Sequence, residues 1–65
     1  MKILTTIKEL SKKYGVPIRL MVESDGVIKV YVGKEEIDHL KTKDSTTEDF
    51  VCFCIREFVE IYFRR

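Results

Sequence analysis

The sequence predicts an α+β fold: a single two-layer domain of order α-β-β-(β)-α. An antiparallel hairpin or three-stranded sheet carries both helices on one face. Three observations support this. Residues 3–14 repeat apolar side chains at helical spacing. Residues 16–23 and 27–33 alternate apolar and polar on either side of Ser24-Asp25-Gly26. Residues 46–63 follow a helix-capping signal with a broad apolar surface.

In the first helix, 3–14, Ile3, Ile7, Leu10 and Tyr14 fall on one stripe with Leu4 beside it. Gly15 offers a C-terminal cap and Pro17 blocks continuation. Lys12 and Lys13 suit the negative end of the helix dipole.

The strands 16–23 and 27–33 raise a question of register. With a two-residue loop, Asp25-Gly26, Leu20 would oppose Tyr31 and Val22 would oppose Lys29, setting apolar against polar. With a three-residue loop, Ser24-Asp25-Gly26, Val22 opposes Ile28, Leu20 opposes Val30 and Ile18 opposes Val32. A one-residue slip moves every side chain to the other face, so the second register is expected. Gly26 suits the left-handed position that closes such a loop. The inner face is then Val16, Ile18, Leu20, Val22, Ile28, Val30 and Val32. Arg19, Met21, Glu23, Val27, Lys29 and Tyr31 lie outside.

Residues 34–44 admit two readings. Ile37 and Leu40 are three apart, as on a helical turn. The stretch is also long enough to return as a third strand at 35–42. The strand is preferred, because a lone hairpin is a poor platform for two helices. Its charges would blunt the exposed edge against further pairing.

Ser45-Thr46-Thr47-Glu48 fits a capping box, with Ser45 as N-cap and Glu48 reaching back, and the helix runs over 46–63. Projected at about 100° per residue, its apolar residues span roughly 220°. Phe53 lies among the polar Arg56, Glu57, Glu60 and Arg64. One sheet face does not need that much apolar helix. The excess, at Cys52, Phe53, Val59 and Phe63, is either buried by the first helix or the 34–44 segment, or it forms a homodimer contact.

Composition narrows the function. With 65 residues, the chain forms one small core. It is 45% hydrophobic and 35% charged, as a globular domain is. Its longest apolar run, Phe50 to Ile55, is too short to cross a bilayer. With no signal-like stretch, a cytoplasmic location is expected, in a cell or an infected host. Residues 1–34 carry seven Lys/Arg against three Asp/Glu, net +4, and residues 35–65 carry five against eight, net −3. That balance lacks the one-signed surplus usual in nucleic-acid binders. Nucleic acid remains an alternative partner, through Lys8, Lys12, Lys13, Arg19 and Lys29.

No catalytic constellation is visible, and no enzyme activity or cofactor is expected. Cys52 and Cys54 point about 200° apart on a helix, so they neither bridge nor converge on a metal. His39 is the sole histidine, has no nucleophile motif near it, and reads as an exposed edge residue. All three glycines serve turns or boundaries rather than a phosphate loop.

The element order resembles that of the double-stranded-RNA-binding domain. That family opens its last helix with a lysine-rich stretch, where this chain has the net-acidic Thr42 to Asp49. It also carries a Gly-Pro-x-His pattern in a loop that here is Ser24-Asp25-Gly26. Both departures argue against duplex binding. The short first helix, compact hairpin and polar segment entering a capped helix at Ser45 also resemble small αβββα proteins of phages and mobile elements. Among these are anti-CRISPR inhibitors of Cas9. That resemblance implies a protein that occupies a surface of a host nuclease or regulator. The candidate contact residues are Arg19, Met21, Lys29 and Tyr31 on the outer sheet face, and an acidic set of Glu35, Glu36, Asp38, Asp44, Glu48 and Asp49.

Overall fold

The computed structural model describes residues 1–65. The element order is α1 (Lys2–Tyr14), β1 (Ile18–Val22), β2 (Val27–Val32), β3 (Glu35–Lys41) and α2 (Glu48–Arg64). The strands form one antiparallel sheet in the order β1-β2-β3. Leu10 of α1 and Val51, Ile55 and Val59 of α2 share one core cluster with Ile18, Ile28, Val30, Val32 and Leu40. Both helices therefore cover the even-numbered face, with α1 against β1 and α2 against β2 and β3.

The hairpin takes the three-residue loop. Val22 pairs with Ile28, Leu20 with Val30 and Ile18 with Val32. Glu23 N donates to Val27 O at 2.8 Å, and Gly26 sits at φ 85°. At the other end Gly33 N donates to Pro17 O at 2.8 Å. Hydrogen bonding thus reaches one residue past each end of β1, but Val16 and Glu23 lie outside the strand. Helix α1 closes as expected, with Gly15 at φ 69° and its N–H on Ser11 O.

The 35–41 segment is a strand with a bulge. Val30 pairs with Asp38 but Tyr31 pairs with Glu36, so Ile37 is the extra residue. On a regular strand Ile37 and Leu40, three apart, would face opposite sides. The bulge turns both toward the core, where Leu40 is buried and Ile37 packs against the cluster. The odd spacing that looked helical is absorbed in this way.

Two expectations need correction. Ser45 is not the N-cap of α2: Thr47 is, with its hydroxyl accepting from Phe50 N at 3.1 Å. A turn holds the preceding residues, with Thr46 N on Lys43 O at 2.9 Å and Lys43 N on Thr46 Oγ1 at 2.8 Å. That turn delays the helix to Glu48. The Glu48 carboxylate does not reach back to its own cap; it lies 3.5 Å from Ile3 N, at the positive end of α1. The inner face is also only partly covered. Val22 is 71% exposed and Leu20 is half-buried, so the far corner of β1 lies open. On α1, Leu4 is exposed and Thr6 is buried instead.

Candidate functional site

The two helices run parallel, and α2 meets α1 along positions seven apart. Lys2 bonds Asp49 at 2.7 Å, Arg56 bonds Glu9 at 3.1 Å, and Tyr14 stacks on Phe63. Repeats of seven stay on one helical face. Turning about the helix from that line, Cys52 and Val59 come next, followed by the sheet-facing Ile55 and Val51. Cys52 and Val59 are buried, at 8% and 0% exposure, so neither offers surface to a partner. Of the apolar flank read from the sequence, Phe63 stacks one face on Tyr14 and stays 37% exposed, and Phe53 stands clearest of the core.

The outward side of α2 carries the exposed apolar surface. Phe50, Phe53 and Ile61 are 54%, 59% and 51% exposed. With Glu57 they form a line at spacings of three, four and four, which is one face of a helix. Glu57 makes no ion pair within the chain. Phe50 and Ile61 were legible as apolar helix residues. Nothing in their spacing told them apart from residues that meet the sheet.

The acidic set is divided by the length of α2. Glu48 and Asp49 sit at its N-terminus beside Lys2 and Ile3. Glu35 accepts from the Tyr62 hydroxyl at 3.0 Å, at the opposite end. A helix rises about 1.5 Å per residue, which sets these groups roughly 20 Å apart. Glu36 and Asp38 lie on β3, and Asp38 Oδ1 accepts from His39 N at 2.8 Å. Asp44 is exposed in the turn before α2.

On the uncovered sheet face, Lys29 lies 3.2 Å from Glu23 and 3.9 Å from Glu36. The hydrogen bond to Glu23, then the two carboxylate charges, raise the Lys29 pKa above its ordinary value. The Lys2 pKa is raised likewise by its hydrogen bond to Asp49. Arg19 donates to Gly33 O at 3.2 Å, and its guanidinium lies 5.9 Å from the Tyr31 ring centre. Met21 is 50% exposed beside them. A shallow open groove of about 440 Å³ is lined by Glu23, Asp25, Val27, Lys29, Glu36 and His39. No group of three His, Cys, Asp or Glu side chains is placed to hold a metal ion.

The basic residues do not share a surface. Lys8, Lys12 and Lys13 belong to α1 on the helical side of the sheet, and Arg19 and Lys29 point from the opposite side, where each has a partner within the chain. No helix is long and apolar enough to cross a membrane. No family model matches the chain, and neither a curated protein nor a solved structure matches it.

Proposed function

We propose that the chain is a non-enzymatic protein-binding module whose contact face is the outward side of α2. It acts by occupying a surface of another protein, such as a host nuclease or regulator. The observation that carries this reading is the line Phe50, Phe53, Ile61, each more than half exposed, on a helix whose opposite side is locked into the core. Aromatic side chains on a rigid helix are efficient contact groups, because little conformational freedom is lost on binding. The unpaired Glu57 within the line fits an apolar groove that supplies a basic group to meet it.

The test is capture from host lysate on the immobilised chain, with and without nuclease, beside a variant carrying Phe50→Ala, Phe53→Ala and Ile61→Ala. The expected result is a discrete protein that survives nuclease and is not retained by the variant. Retention that disappears with nuclease would replace this reading with nucleic-acid binding. Equal retention by the variant would remove α2 as the contact face.

A further inference from the structure

The two edges of the sheet differ in kind. β3 carries Glu35, Glu36, Asp38, His39 and Lys41 together with a bulge, the usual devices against edge pairing. β1 reads Ile-Arg-Leu-Met-Val, with a single charge and no bulge or proline.

The ladder shows which backbone groups β1 leaves free. Glu23 bonds Val27 and Pro17 bonds Gly33 across the hairpin. Paired residues alternate between hydrogen-bonded and not, so Arg19 and Met21 turn their N–H and C=O toward β2. Ile18, Leu20 and Val22 turn theirs to the free edge. Ile18 N–H confirms the direction, since it donates to Ser11 Oγ of α1 at 3.1 Å. Leu20 and Val22 have no such cover. Val22 is 71% exposed, and Leu4, two turns before Ser11 on the same face of α1, is 54% exposed.

We propose that β1 pairs antiparallel with β1 of a second copy of this chain, joining the two sheets into one. The register follows from the residues. Pairing Leu20 with Leu20 would bring Val22 to Ile18, whose N–H is already taken by Ser11. Pairing Leu20 with Val22 avoids this and lets both pairs exchange their N–H···O bonds. It places Met21 against its own copy on the two-fold axis. It also sets Arg19 directly opposite Glu23 of the other copy, twice, on the outer face. Opposite charges across a strand pair stabilise it and like charges oppose it. The paired segment is short, so the dimer is weak and its population depends on concentration.

The experiment is sedimentation equilibrium over concentrations up to about 1 mM. The expected result is a rise from monomer toward dimer mass. Val22→Pro loses no native hydrogen bond, because that N–H faces the free edge, and it should remain monomeric with an unchanged far-ultraviolet spectrum. Arg19→Glu alone and Glu23→Arg alone should each weaken the dimer about tenfold or more. An equimolar mixture of the two should restore it, since each charge then meets its opposite. A wild-type chain that stays monomeric would overturn the proposal. So would a mixture that fails to associate, or a dimer that survives Val22→Pro. A dimer lost only with Phe53→Ala would move the contact to α2, leaving the fate of the lysate-capture reading to its own experiment.

Discussion

Tyr14 and Phe63 stack face to face, with ring centres 4.3 Å apart and planes 4° from parallel. The pair joins the last turn of α1 to the last turn of α2, the end opposite the Lys2–Asp49 bond. Tyr62 meets Phe63 edge-on at 5.1 Å, extending the cluster. Phe63→Ala should lower unfolding free energy by about 2 kcal/mol, read from urea denaturation. A double-mutant cycle with Tyr14→Ala should return a coupling of about 1 kcal/mol. Additive single effects would show that the stack contributes nothing of its own.

The cap of α2 separates two neighbouring hydroxyls. Thr47→Ala removes the acceptor for Phe50 N and should cost about 1 kcal/mol. Ser45→Ala touches no cap and should stay within about 0.5 kcal/mol. Equal losses in urea denaturation would mean that the helix begins earlier than Glu48.

Gly26 is constrained twice. Its φ of 85° disfavours any residue with a Cβ, and a Cβ there would stand 3.1 Å from Thr42 O. The Gly26 carbonyl accepts from both Thr42 N at 2.9 Å and Thr42 Oγ1 at 2.6 Å, so this contact has little room to yield. Gly26→Ala should cost about 2 kcal/mol or more. Gly33, at φ 61° with open space around its Cβ position, should cost less on the same change, about 1 kcal/mol. Thermal or urea midpoints of the two variants decide the order.

The Tyr62 hydroxyl donates to Glu35, and that bond is the main cause of a phenol pKa raised above its ordinary value of 10.0. The fold therefore favours the protonated phenol. Its contribution to stability is complete below about pH 10 and is lost as pH rises through the raised folded value. In a chain carrying Tyr14→Phe and Tyr31→Phe, ultraviolet titration isolates Tyr62. Glu35→Ala should move its midpoint down toward the ordinary value. An unchanged midpoint would show that the bond is not kept in solution.

Sequence legibility differed from element to element. The acidic residues were visible as types. Their separation along α2 was not, because it depends on Tyr62 reaching Glu35 at one end while Lys2 meets Asp49 at the other. Cys52, Val59, Phe50 and Ile61 all belonged to one apolar helix surface. Only packing distinguished the buried pair from the exposed pair.

By itself the sequence determined the hairpin register and the order of the two helices around the hairpin. The 34–44 segment stayed open between a third strand and a helical turn until the ladder to β2 made it a strand. Strand side chains alternate with a period of two, so only the three-residue loop brings Ile18, Leu20 and Val22 level with Val32, Val30 and Ile28. Local stop signals at Gly15 and Pro17 were equally plain. The tertiary structure alone decided three further things: the bulge at Ile37, the cap at Thr47 and the division of α2 into buried and outward sides. Each depends on a group distant in sequence or on a competing turn: Val30 and Tyr31 across the ladder, the Lys43–Thr46 turn before the helix, and α1 lying parallel to α2. Hydrophobicity is non-directional, so an apolar arc records how much surface can be buried, and the partner that arrives decides which part of it is.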